Sequence, residues 1–215
     1  MTIQQLYEKY EIMPNLQLHM YRVAAVAKMI CDHFKKSINK QEVVITCLLH
    51  DIGNIIKFDL FDFPQFLEPL GFEYWYKVQI HYIKKYGNDE HVASQKIAEE
   101  LGIDDRIREL MDSVSFIGAT ENYQTNDFAK KICSYADVRV TPFGVVSLEK
   151  RLADLEQRYG NKYPGEAMKK KRAEFQNYLR KMESQIFQNC SLKPEQITET
   201  AIAPIIQELK NVEAV

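Results

Sequence analysis

Between Leu16 and Phe34 the apolar residues Leu16, Met20, Val23, Ala27, Ile30 and Phe34 recur at alternating steps of four and three. That spacing lines one face of a 3.6-residue helix and gives no regular pattern on a strand. A stripe about five turns long must pack against other elements, so it commits the chain to a buried helical core. The spacing predicts a helix over 15–36, with Asn15 as N-cap after Pro14. The 215 residues include only eight glycines and seven prolines. That is too few for an all-β chain full of tight turns, and the expected fold class is all-α.

Lys40–Asp51 is apolar almost throughout. Its "VVIT" suits a strand by propensity, but twelve residues is long for one, and Gly53 suits a helix C-terminal cap. The reading is a buried helix. Residues 54–73 carry Pro64, Pro69 and Gly71 among aromatics, as in a packed loop with short turns. Further helices are expected over Glu73–Tyr86, from Asp89 to Leu101, from Asp104 to about Val114, and over Asp127–Val140, with a loop at 115–122. "TPFG" at 141–144 breaks the last of these. Ser147 then caps a helix ended by Gly160, Pro164–Gln188 reads as a long polar helix, and Pro194 opens a final one that Pro204 interrupts. The shorter, more apolar helices precede Thr141 and the more charged ones follow it. The expected organisation is a helical core at 1–140 and a C-terminal helical extension at 141–215 packed on it.

Composition narrows the function classes. The formal net charge of −2 argues for neither nucleic-acid nor membrane binding. No run approaches the ~18 apolar residues of a membrane span. The N-terminal "MTIQQLYEKY" lacks a basic segment followed by an apolar one, so it does not read as a secretory signal. Cys31, Cys47, Cys133 and Cys190 are scattered without a C-x-x-C pair, and three of them sit in apolar surroundings and read as small core residues. A cytoplasmic protein with reduced thiols is expected. The basic run "KKKR" at 169–172 reads as a solvated helix face.

The chemistry-bearing residues interrupt apolar patterns. His19 borders the stripe of the first helix, three residues after Leu16 and four before Val23. His50 and Asp51 end the buried second helix. Asp137 follows Cys133 by four residues and precedes Val140 by three, again on an inward face. Two histidines and two carboxylates on three helices suit a divalent first-row metal. The same spacing also fits satisfied core histidines and aspartates acting as caps or salt-bridge partners. Periodicity leaves both readings open.

The order "LHMYRVA", "LLHDIGN" and "YADVRV" resembles the HD-domain superfamily of metal-dependent phosphohydrolases, in its HDIG-type members, over roughly residues 15–140. The resemblance implies a helical fold and makes His19, His50, Asp51 and Asp137 the metal ligands. It implies one divalent ion (Mn, Co, Mg, Fe, Ni or Zn) with open positions for water and substrate. The implied activity is hydrolysis of a phosphate ester or nucleotide by activated water, with Asp51 at the reacting centre.

Two departures from better-known relatives matter. Many carry Lys or Glu three residues after the HD aspartate, where this chain has Asn54. Asp59 and Lys57 lie close enough in sequence to replace it, Asp59 handling a proton and Lys57 binding phosphate, though both also read as solvated loop charges. Dinuclear relatives add a histidine on the third core helix, matched here by His91, and a His-His pair beyond it, which "SFIGATENY" lacks. One metal is therefore expected, with His91 assisting as a phosphate or outer ligand, its alternative being a surface histidine in a first helical turn. Arg22 and Arg139, close in sequence to ligands, are candidate phosphate binders or braces for helix carboxylates. Two other functional classes remain: a non-catalytic metal-containing HD domain that binds a nucleotide or protein, which Asn54 favours, and a di-iron HD oxygenase, which the missing His-His pair disfavours.

Overall fold

The computed structural model describes residues 1–160 and 165–214. Among the described residues the fold is all-α, with eleven α-helices and one two-stranded antiparallel ribbon. The stripe from Leu16 to Ile30 lies on α2 (Pro14–Asp32), which is buried on nearly every face from Met20 to Cys31, and Phe34 falls just beyond the helix. Packed against α2 are α3 (Lys40–Leu49), α8 (Phe128–Val138) and α11 (Glu199–Leu209). A single apolar cluster runs from Ile3 to Leu209. The four cysteines are buried, unpaired thiols within it.

Local chemistry explains most helix boundaries. Asn39, Asp89, Asp104, Asp127, Ser147 and Thr198 each accept a backbone N–H with a side-chain oxygen at a helix start. These open α3, α5 (Glu90–Glu100), α6 (Asp105–Asp112), α8, α9 (Leu148–Tyr159) and α11. Asn15 does not cap α2. Pro14 occupies the first helical turn, where its missing N–H costs nothing, so the cap moves back to Met13. The helix ends at Asp32 rather than 36.

Several other expectations change. α1 (Ile3–Lys9) precedes the region read as helical, and a capping box at Thr2 and Gln5 opens it. α4 begins at Gly71 rather than Glu73 and runs to Tyr86. The segment expected as loop contains α7 (Ala119–Gln124), a helix too short to show a period, which packs on α8 and α10 (Glu166–Gln188). The expected start of α10 at Pro164 lies outside the described residues. α8 stops at Val138, and the "TPFG" break is a hairpin of β1 (Val140–Thr141) on β2 (Gly144–Val145). Pro194 opens only a 3₁₀ turn, and Pro204 sits inside a continuous α11.

The chain after residue 141 is joined closely to what precedes it. The N–H of Ile3 donates to the Val212 carbonyl at 2.9 Å, and the N–H of Ala214 donates to Met1 at 3.1 Å, so the two chain ends form a shared strap. Arg139 provides a second attachment. Its side chain is 2% exposed, and its guanidinium donates to the carbonyls of Val146, Pro194 and Ile197 and to the Tyr135 hydroxyl. Arg139 is therefore not a phosphate binder: its donors are buried and turned toward the C-terminal segment.

Candidate metal centre

Three helices deliver the polar cluster. His19 stands on α2, one turn beyond the helix start. His50 is the residue at which α3 stops, and Asp51 follows in the turn that leads to a 3₁₀ segment, Asn54–Lys57. Asp137 lies in the last turn of α8. The apolar faces of α3 and α8 pack on α2, and that packing carries the polar ends of both helices to His19.

Gly53 is not the C-terminal cap of α3, a position His50 takes, and instead precedes the 3₁₀ segment. Its φ of −90° is open to any residue. A β-carbon there would fall 2.8 Å from the Glu90 carbonyl, the Ser94 amide and the Ala93 methyl. The glycine lets the start of α5 press against the turn that carries His50 and Asp51. Ser94 Oγ accepts the Gly53 N–H at 3.0 Å and donates to the Glu90 carbonyl, which fixes that contact.

The ligand atoms of His19, His50 and Asp51 all lie within 4.8 Å of one another. Asp137 closes the set: its Oδ1 is 3.1 Å from His19 Nε2 and 3.5 Å from His50 Nε2. Asp51 Oδ2 is 3.5 Å from His19 Nε2 and 3.6 Å from His50 Nε2. His50 supplies the test of whether these residues fit a metal. Its Nδ1 lies 2.9 Å from the Cys47 carbonyl and must donate to it. That bond fixes the tautomer and leaves the Nε2 lone pair facing the carboxylates. Nε2 is buried and has no hydrogen-bond partner among the described residues. An acceptor nitrogen among carboxylate oxygens is unfavourable unless a cation, whether a proton or a metal, stands between them.

Charge balance points the same way. Burial by itself would lower the His50 pKa, but Asp51 and Asp137 outweigh it and push it up to about 9. Burial would raise Asp137, yet His19 and His50 hold it well below the usual carboxylate range. Without a metal, a proton on imidazole takes the cation's place. Two neutral imidazoles and two carboxylates give a donor set of charge −2, which a divalent ion neutralises.

The surrounding residues fall into two groups. Asn54 Nδ2 donates to Asp51 Oδ2 at 2.8 Å, while its buried Oδ1 has no hydrogen-bond partner among the described residues. Lys57 Nζ lies 2.8 Å from Glu90 Oε1. Burial would lower its pKa, but Asp51, Glu90 and Asp137 together raise it. Lys57 is thus a half-exposed ammonium within the field of the ligand carboxylates.

The other sequence candidates stand apart from the four donors. Asp59 is exposed, and its Oδ1 accepts the Phe61 N–H at 2.9 Å, closing a turn. The His91 side chain is 55% exposed, 3.8 Å from Glu90 Oε1, and outside the ligand group. Arg22 donates through Nε and lies at 2.7 Å, through Nη2, from the same Glu199 oxygen, so it ties α2 to α11. Sequence reasoning missed the Cys47 carbonyl, Ser94 and Glu90. The Cys47 contact follows from its position three residues before His50 on a helix, whereas Ser94 and Glu90 carry no local signal.

A family model described as HD domain matches residues 17–138, more than half of the chain, and the match spans all four donors. Comparison with curated proteins gave no match, and comparison with solved structures gave none. No described helix is long and apolar enough to cross a membrane.

Proposed function

Because this chain belongs to the HD-domain family, a superfamily of metal-dependent phosphohydrolases, we propose that it hydrolyses a phosphate ester at one divalent ion held by His19, His50, Asp51 and Asp137. The observation that carries this reading is the buried, tautomer-fixed Nε2 of His50, aimed among three other donors and lacking a hydrogen-bond partner. The bound ion would supply an acidified water and screen the charge on phosphate oxygens.

The chain's own residues then divide the remaining work. Asn54 holds the Asp51 carboxylate in orientation through its amide. Lys57 offers a positive charge to a phosphate, and Glu90 keeps that ammonium in place. The neutral Asn54 amide cannot carry a proton, so proton exchange falls to groups at the rim, His91 first and Asp59 second. A single ion accords with Glu90 already pairing with Lys57 beside His91. Arg22 and Lys57 are each paired with a glutamate, and Lys57 is the phosphate's cation in this reading because Asp51 and Asp137 act on its charge.

The test is metal analysis of purified protein, followed by a panel of phosphate esters assayed with Mn²⁺, Co²⁺, Mg²⁺ and Ni²⁺. One labile divalent ion per chain and metal-dependent release of phosphate are expected. Asp51→Ala should lose both. Full metal occupancy in that variant would refute the four-ligand centre, and two tightly held irons with no hydrolysis would move the protein to oxygen chemistry.

A further inference from the structure

The 3₁₀ turn that carries Lys57 opens into a cavity of about 360 Å³ whose nine lining residues include Lys57, Phe58, Phe61, Phe72, Tyr76 and Gln79. Four of the nine are aromatic. The rings are already ordered: Phe61 and Phe72 lie 4.9 Å apart between centroids, and Phe72 and Tyr76 stack at 5.7 Å with planes 10° apart. They are not closed into the core. Phe61 is 78% exposed and Tyr76 48% exposed, although each has an aromatic neighbour against which to fold. Scattered surface apolar residues are ordinary, but a stacked group around a concavity is a different feature.

The supporting structure is rigid. Gln79 Nε2 donates to the carbonyls of Ile55 at 2.7 Å and Phe58 at 2.9 Å, so α4 fixes the segment from which Lys57 and Phe58 project. Asp59 closes the turn that presents Phe61. The cavity falls within the usual size of small-molecule sites and combines aromatic walls with the Lys57 ammonium and with Asp59, whose Oδ1 is engaged by the Phe61 N–H. That ammonium is the one on which Asp51 and Asp137 act.

We propose that this aromatic slot receives the planar ring of the ester's leaving group while Lys57 takes its phosphate, which makes Phe61 and Tyr76 specificity-determining residues. The inference rests on the phosphohydrolase reading of the metal centre. An aromatic face stacks on any planar ring, and an ammonium at the rim requires an anion close to that ring. A phosphate ester of an aromatic or heteroaromatic group carries both features, whereas an alkyl phosphate offers the slot nothing to stack.

The experiment compares hydrolysis of phenyl phosphate and a nucleoside monophosphate with that of glycerol phosphate, in wild type and in Phe61→Ala and Tyr76→Ala. The wild type should favour the ring-bearing esters at least tenfold in kcat/KM. Both variants should lose about tenfold for ring esters, through KM, and keep their glycerol phosphate rate, metal content and melting temperature. Equal losses on ring and alkyl esters, or no loss on either, would overturn the proposal. If wild type hydrolyses no ester, the phosphohydrolase reading fails, and calorimetric titration with the nucleoside monophosphate still judges the slot. Binding weakened tenfold by Phe61→Ala supports it, and absent or unchanged binding rejects it.

Discussion

Stripping the metal should give this protein's stability a pH dependence that the metal-loaded protein lacks. In the metal-free chain the folded state raises His50 from its ordinary value of 6.5 to about 9. The folded state therefore binds that proton more tightly than the unfolded one. Its stabilisation is fully present below pH 6.5 and is lost as pH rises through 9. A shift from 6.5 to about 9 corresponds to about 3 kcal/mol at 1.36 kcal/mol per unit, of which about 2 kcal/mol disappears between pH 6.5 and 8.5. The low pKa of Asp137 acts at the acid end and does not enter this window. For a chain of this size the loss corresponds to about 4–8 °C in Tm. The metal-loaded protein should be nearly flat over the same window. The ion needs His50 neutral, so its affinity rises about tenfold per pH unit below pH 9, and the about 1.4 kcal/mol that each tenfold adds at fixed excess metal offsets the loss seen in the metal-free chain. The assay is thermal and urea unfolding from pH 6.5 to 8.5, with a chelator in one series and excess Mn²⁺ in the other. Parallel curves, or a chelated protein that grows more stable with pH, would refute the placement of a cation between His50 and the two carboxylates.

Three substitutions test the supporting residues. Asn54→Ala removes the amide that holds Asp51 and should weaken Mn²⁺ binding about 10–100-fold by calorimetry with little change in metal-free Tm, so wild-type affinity would show that Asp51 needs no such brace. Gly53→Ala drives a methyl against the backbone of Glu90 and Ser94, and an expected cost of about 1–3 kcal/mol in urea unfolding should be accompanied by weaker metal binding. Arg139→Met leaves the carbonyls of Val146, Pro194 and Ile197 without their donor. At about 1–3 kcal/mol for each buried unpaired group, it should cost about 3 kcal/mol or more and speed amide exchange in α11, and an unchanged Tm would contradict the anchoring role.

The sequence by itself determined the helical class and picked out His19, His50, Asp51 and Asp137 as polar residues set against apolar patterns. Helix-forming stripes are local, and a histidine or aspartate that interrupts one is visible before any packing is known. Caps such as Asp89, Asp104 and Ser147 were legible for the same reason, because the side chain bonds an amide two or three residues away. Short elements were not legible: α7 has six residues and shows no period, and the hairpin at 140–145 offers two residues per strand. Only the tertiary structure decided what the arginines do, because Arg22 meets Glu199 and Arg139 meets Pro194 and Ile197 across long stretches of chain. The same holds for Gly53, whose requirement comes from the close approach of α5 rather than from its own φ. It holds again for the aromatic slot, where residues 57–61 meet 72–79 only after α4 folds back over the turn beyond Asp51. Residue type and spacing fix which groups enter the interior with a charge to balance, and packing between distant segments fixes which partner balances it.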